Sequence, residues 1–447
     1  MSEAIRYVST RGSAPELGFA DALLAGLARD GGLYVPATVP ALADSWRQAP
    51  ARGYAATAVD VMWPFVAGSL ERDDFARAVH AAYAVFDDPD VVPLRRLGAT
   101  DVWLAELHHG PTLAFKDVAL QLVGQLLDYE LERRDERVTV LGATSGDTGS
   151  AAIEALRDRA RVDVTILHPS GRVSDVQRRQ MTTVDAPNVL NLAVQGSFDD
   201  CQDLVKAAFA DLPFRDRFRL SAVNSINWAR VMAQIVYYVT AAARFAQPVT
   251  FVVPTGNFGN VYAGHMARRM GLPVKQFVVA SNRNDILTRF FRTAVMAIEG
   301  VEPSLSPSMD IQVSSNLERL LWEILRGDGA AVVELFATFR QRGVVQLDDA
   351  QFGRLREGFV ACRTDDDATL ATIRRVWDDF GILVDPHTAV GLSAALTEVP
   401  PGQPVVVLAT AHPAKFPDAV QAATGQWPQL PARLADLAER QIGRAHV

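Results

Sequence analysis

From about residue 95 onward, short β-rich runs alternate with helical stretches of ten or more residues. The clearest runs lie at 138–141, 162–167, 249–253, 277–280 and 405–409. Strands separated by helices pair in parallel, and the connecting helices cover both faces of the sheet. The pattern therefore predicts an α/β fold and argues against an all-helical bundle or a β-sandwich. Residues 1–90 read differently, mainly as helices, with short extended pieces around Tyr7 and 33–36 and an amphipathic stretch at 75–85. A Pro-rich stretch at 303–307 and an acidic run at 365–367 read as loops. At 447 residues the chain should form two or three structural units. The expected division is 1–90, 91–440 and a tail, 441–447. The last six residues break the preceding helical pattern of 434–440 and match what a common sequencing adapter would encode, so the tail is expected to be non-native.

Composition narrows the class. With 49% hydrophobic and 21% charged residues, the chain reads as a soluble globular protein. A net charge of -8, with no Lys/Arg-rich tract, argues against a nucleic-acid partner. Only Cys201 and Cys362 are present, without metal-type spacing, which fits a reducing compartment. The first residues lack the apolar core of a signal peptide, and no run approaches the ~20 apolar residues needed to span a bilayer. A cytoplasmic location without membrane partners is expected.

Lysine usage singles out one position. The chain has four lysines, Lys116, Lys206, Lys275 and Lys415, among 44 basic residues. Arginine thus serves nearly all ordinary surface charge. Unlike a guanidinium, a primary amine can lose its proton and form a Schiff base. Lys116 stands in HGPTLAFKD (109–117), after a Gly-Pro-Thr turn and beside Phe115. It is the first candidate for covalent catalysis.

Two strand–loop–helix units offer anion sites: GATSGDTG (142–149) and PTGNFGN (254–260). Each Gly-rich turn presents backbone N–H groups at the positive end of a helix. Neither loop fits G-x-G-x-x-G or a P-loop, so nicotinamide and nucleoside triphosphate readings are weak. Asp147 sits in the first loop either as a helix N-cap or as a proton-handling group, and the cap is the expectation. Near the C-terminus, Thr410, His412 and Lys415 follow an apolar strand, where open parallel sheets bind ligands. Pro413 should hold that segment as a loop. His412 is expected to make a structural hydrogen bond within it, and Lys415 to meet a phosphate. No cluster of metal-ligand spacing appears, so no metal is expected. No Gly-x-Ser-x-Gly elbow appears either.

Taken together, these motifs resemble the pyridoxal-phosphate enzymes of the tryptophan-synthase-β fold type. Within them the chain is similar along nearly its whole length to the threonine synthase family in its bacterial and fungal form. The residues carrying the resemblance are YVSTRG (7–12), DGGLYVP (30–36), HGPTLAFKD, ATSGDTGSAA (143–152), GSFDDCQ (196–202) and NSINWAR (224–230). PTGNFGN, SNLERLL (315–321), DPHTAVG (385–391) and ATAHPAKF (409–416) complete them. The resemblance implies two parallel-sheet α/β lobes behind a mainly helical N-terminal domain, pyridoxal 5'-phosphate as cofactor, and a monomer. It implies that Lys116 carries the cofactor as a Schiff base and moves protons at the substrate carbons. Gly256, Asn257, Phe258, Gly259 and Asn260 would cradle the cofactor phosphate, and Thr410 would bond the pyridine nitrogen. Thr144, Ser145, Gly146, Asp147 and Thr148 would hold the substrate carboxylate. Arg230 and Lys415, with Ser9–Arg11 as a further option, would meet the substrate phosphate. The implied reaction converts O-phospho-L-homoserine and water to L-threonine and phosphate. A related phospho-lyase yielding 2-oxobutyrate shares these motifs. The family usually has an aromatic residue where this chain has His108.

Overall fold

The computed structural model describes residues 4–442, and the expected non-native tail lies largely outside them. Two sheets organise the chain. The larger has six strands in the order Phe359–Arg363, Val274–Ser281, Val249–Pro254, Val405–Ala409, Val102–Glu106, Leu94–Arg96. Its first five strands run parallel and only the last is antiparallel. The smaller sheet has four parallel strands in the order Val189–Val194, Val162–Pro169, Val138–Ala143, Leu220–Ser221. Each expected run is a strand. The other strands of the two sheets, Phe359–Arg363, Val102–Glu106, Leu94–Arg96, Val189–Val194 and Leu220–Ser221, were not among the expected runs.

Two helices lie between the sheets and the N-terminal region. In Trp228–Ala242, 14 of 15 residues are buried, and Lys116–Arg134 is buried on almost every face along its first four turns. Helices covered on all sides lose the polar stripe that marks a surface helix. Leu120, Leu126 and Leu127 are fully buried there, and each such side chain stabilises the fold by about 1.5–3 kcal/mol.

The N-terminal region is mainly helical, as expected, with Tyr54–Val66 and Arg72–Tyr83 packed on one another and on the central helices. Its extended pieces Tyr7–Ser9 and Tyr34–Pro36 pair antiparallel. Tyr7 and Phe65 pack their rings on Trp228. This ties the region to a central helix that carries a site residue.

Three local expectations need correction. The acidic run at 365–367 starts a helix, Asp366–Phe380, because the Asp365 carboxylate accepts from the Ala368 N–H and caps it. Pro413 opens a 3-10 turn, Pro413–Lys415, where its fixed φ suits the first helical position. The 434–440 stretch is not a continuous helix; it begins in a 3-10 turn, Ala432–Leu434, and continues as turns.

Candidate active site

Lys116 is placed by the segment before it. The Asp117 carboxylate accepts from the Thr112 N–H (2.8 Å) and hydroxyl (2.7 Å), folding the chain back onto the start of the helix. Gly110 packs so closely that an added Cβ would come within 2.4 Å of the Asp117 Cβ. Burial pushes the Asp117 carboxyl up to about 6 despite these bonds. Phe115 N–H donates to the Thr410 carbonyl at 2.8 Å, and His412 N–H to the Leu113 carbonyl at 3.0 Å. The lysine that opens its helix is thereby stitched to the end of the strand Val405–Ala409.

The 254–260 loop leaves the neighbouring strand. Phe258 adopts φ +60°, a left-handed conformation costly for a side chain of its size, and its buried ring packs on Phe291 and Phe359. That turn starts the helix Gly259–Arg269, whose first N–H groups have no preceding carbonyl to meet. Ser314 Oγ donates to the Gly256 carbonyl at 2.7 Å, and Asn316 N–H to the Asn257 carbonyl at 3.0 Å, so the loop is pinned from behind. A Cβ on Gly256 would sit 3.0 Å from the Ser308 carbonyl. Asn260 accepts from the hydroxyls of Tyr237 (2.5 Å) and Tyr238 (2.9 Å), while its buried Nδ2 has no partner among the described residues.

These elements surround a cleft with about 700 Å³ of empty space, part of it open to solvent. Lys116, Asp147, Thr148, Arg230, Thr410 and residues 254–260 line it, with Ser225, Gln234, Ser308 and His387. The site therefore lies beyond the carboxyl ends of strands in both sheets.

Asp147 is the electrostatic centre. Its Oδ2 lies 3.2 Å from Lys116 Nζ and its Oδ1 2.8 Å from Lys415 Nζ. Gln177 Nε2 donates to Oδ1 at 2.8 Å and Ser308 Oγ to Oδ2 at 3.3 Å. Burial pushes this carboxyl up, but Lys116, Lys415 and His387 outweigh it and hold the group well below the usual carboxylate range. Burial lowers the proton affinity of the Lys116 amine; Asp147 opposes this, while Lys415 and Arg230 reinforce it. The helix Asp147–Leu156 is capped by Gly146 without a side chain. The expected capping role of Asp147 is thus corrected, because two ammonium groups compete for its carboxylate.

Other predicted residues are distributed unevenly. Thr144 is buried, and its hydroxyl is committed to the N–H groups of Gly146 and Gly149. From the 144–148 loop, Asp147 and Thr148 line the cleft; Thr144, Ser145 and Gly146 shape it from behind. Arg230 is 2% exposed and donates to the Val223 carbonyl at 3.2 Å. Among the described residues its Nε has no partner, and burial lowers its guanidinium to about 10. Lys415 is fully buried against Asp147 and the Thr112 carbonyl, outside the cleft lining. Ser9 bonds Asp30, and Arg11 pairs with Glu318, so both are occupied elsewhere. His412 makes the expected structural bond, its Nδ1 accepting from the Ala414 N–H.

Gln177, Ser308 and His387 were not singled out as site residues from the sequence. His387 had a usable signal. It sits in the quoted Asp-Pro-His-Thr motif, where Asp385 caps the helix Pro386–Glu398 and also takes the His387 Nδ1 at 2.8 Å. Gln177 and Ser308 stand in unremarkable sequence and are brought in only by folding.

Comparison with known proteins decides the family. A model described as "Threonine synthase N terminus" matches residues 6–83, "Pyridoxal-phosphate dependent enzyme" matches 87–337, and "Threonine synthase, C-terminal" matches 388–446. The chain belongs to the threonine synthase family. It is 53% identical to the threonine synthase of Pseudomonas aeruginosa over 446 residues, covering 98% of this chain and 94% of that one. It is 46% identical to the Corynebacterium glutamicum threonine synthase, covering 96% and 93%. The crystal structure of a PLP-bound threonine synthase from Brucella melitensis superposes with a TM-score of 0.95 at 50% identity, covering 99% and 96%. The cofactor is pyridoxal phosphate. The cleft fits it on its own evidence: a buried amine, a pinned loop of helix-start N–H groups, and the unpartnered Asn260 Nδ2.

Proposed function

We propose that this threonine synthase family member converts O-phospho-L-homoserine and water to L-threonine and phosphate in the cleft around Lys116. The observation that carries the reading is one buried primary amine facing two separate anion-ready surfaces, the 256–260 loop and the guanidinium of Arg230. The cofactor and the substrate each bring a phosphate, so a cleft with two such surfaces suits this pair.

The roles follow from the chemistry of each group. Gly256, Asn257, Phe258, Gly259 and Asn260 hold the cofactor phosphate with backbone N–H groups and the Asn260 amide. Thr410 presents its hydroxyl to the pyridine nitrogen, and Lys116 attaches the cofactor. When bound, the cofactor acts as an electron sink for breaking C–H bonds next to the substrate amine. The Lys116 amine takes the proton from Cα and returns it, in a buried setting that disfavours the ammonium form. Thr148, with the turn built on Thr144, Ser145 and Gly146, orients the substrate carboxylate, and Arg230 binds the substrate phosphate. Residues 1–90 act as a separate helical unit buttressing the 91–440 catalytic body.

A monomeric cytoplasmic protein without nucleic-acid partners is part of the same proposal. Both cysteines are buried and unpaired, and among the described residues no helix is long and apolar enough to cross a membrane.

The test incubates the purified protein with O-phospho-L-homoserine and measures threonine, 2-oxobutyrate and phosphate together. Threonine and phosphate in equal amounts are expected, and Lys116→Ala should lose both this activity and the visible absorbance of lysine-bound cofactor. Keto acid without threonine would overturn the assignment.

A further inference from the structure

Two of the four lysines meet on one carboxylate. Lys415 has no exposed surface, and its Nζ is held at 2.8 Å by both Asp147 Oδ1 and the Thr112 carbonyl. Lys116 occupies the other carboxylate oxygen at 3.2 Å. Gln177 and Ser308 complete the shell. An amine so enclosed cannot reach a ligand in the cleft without abandoning both acceptors. Lys415 therefore serves Asp147 and not the substrate phosphate.

The arrangement makes sense once the Lys116 amine has to give up its charge. If Asp147 were paired with Lys116 alone, loss of that charge would leave a lone buried carboxylate, which is strongly unfavourable. With Lys415 behind it, Asp147 stays paired throughout. We infer that Lys415 is a positioning residue that holds Asp147 from the protein interior, leaving the Lys116 amine free to release both the carboxylate and its proton. This rests on Lys116 being the cofactor-bearing, proton-moving lysine of the proposed function.

The charged groups around the pair come from several elements. Asp147 stands at the start of Asp147–Leu156, Arg230 on Trp228–Ala242, His387 on Pro386–Glu398, and Asp117 beside Lys116 on its own helix. Among them, Lys415 and Arg230 both disfavour the Lys116 ammonium, whereas Asp147 favours it. Removing Lys415 would give Lys116 sole possession of Asp147 and strengthen its hold on the proton.

The experiment titrates the Lys116 amine directly. The full chain, depleted of cofactor, is acylated across a pH series and Lys116 modification is followed by mass spectrometry. Exposed Lys206 and Lys275 serve as internal references. Lys415→Met should move the Lys116 midpoint upward by about one unit, so that labelling slows about tenfold at a fixed pH below it. The acid limb of kcat for O-phospho-L-homoserine, which reports groups of the substrate-bound enzyme, should move the same way. Lys415→Arg, which keeps the charge, should leave the midpoint in place. A Lys415→Met protein that loses activity with an unmoved midpoint overturns the proposal, as does a Lys415→Arg midpoint that moves equally far. Should Lys415→Met fail to fold, Asp147→Asn supplies the converse: its Lys116 midpoint must fall, and an unchanged midpoint refutes the inference. Labelling needs no substrate, so its outcome bears on Lys415 alone, whereas absence of threonine formation by the unaltered chain counts against the catalytic reading.

Discussion

His108 shows how a single side chain couples this site's surroundings to pH. Its ring lies 4.9 Å from that of His109 and 5.3 Å from that of His412, and its buried Nδ1 has no partner among the described residues. Burial, reinforced by neighbouring His412, lowers His108 to about 3, and burial with His109 lowers His412 to about 4. Both groups are neutral when folded and take up protons near 6.5 when unfolded. The stability they contribute is therefore complete above 6.5 and is lost as pH falls toward their folded values. Asp117, raised to about 6, acts in the opposite sense between its unfolded value near 4 and 6. Two histidines outweigh one carboxyl, so the thermal midpoint should fall between pH 7 and pH 5. His108→Phe should flatten that fall, recovering about 2 kcal/mol at pH 5 from the 1.5-unit gap to 6.5. Calorimetry of both proteins across this range checks it; parallel profiles would remove His108 from the account. The scarcity of lysine was visible in the sequence at this scale, and it drew attention to Lys116 and Lys415. It could not say that both would share Asp147, since positions 116, 147 and 415 meet only through the fold.

The helices behind the site are held at close range by glycine. Gly124, on the helix headed by Lys116, faces the helix headed by Asp147, and a Cβ there would lie 2.5 Å from the Ala155 carbonyl oxygen. Helix propensity alone favours Ala over Gly by about 1 kcal/mol. The clash is with backbone rather than a flexible side chain, so sterics should win. Gly124→Ala is expected to destabilise the protein by about 1–3 kcal/mol. It should also lower activity by parting Lys116 from Asp147. Urea unfolding together with threonine formation tests this, and a stabilised, fully active variant would contradict the packing argument. The elements themselves were largely legible, because strand–loop–helix alternation survives burial. Their ends were less so: the Asp365 cap and the Gly146 start depend on which carboxylates are taken by backbone N–H groups and which by lysines.

Arg319 links the N-terminal region to the site across the whole molecule. Fully buried, it donates to the Tyr34 carbonyl at 3.1 Å, to the Ile226 carbonyl at 2.5 Å and to the Asn316 side chain. Asn316 in turn backs the 256–260 loop through the Asn257 carbonyl. Alongside it, Thr10 and Arg11 reach Glu318 at 2.6 and 3.0 Å. Arg319→Ala strands three buried oxygens and should cost about 3 kcal/mol or more. Arg319→Lys should recover little, because an ammonium cannot span three acceptors as the guanidinium fork does. The accompanying sign is faster loss of cofactor, read as decay of visible absorbance after dilution. Wild-type cofactor retention in Arg319→Ala would break the proposed link between the two regions.

Strand–helix alternation, a rare lysine and two Gly-rich turns are local properties of a chain. They were enough to predict parallel sheets, and to nominate a candidate catalytic amine and two helix starts as anion sites, because backbone geometry and side-chain chemistry act over a few residues. Which groups share the cleft depends on segments hundreds of residues apart. Only the tertiary structure put Lys415 behind Asp147 instead of in the cleft, and brought Gln177, Ser308 and His387 to the same site. The physical reason is burial: inside the protein every charge needs a partner, and the fold, not the chain order, decides which partner is within reach.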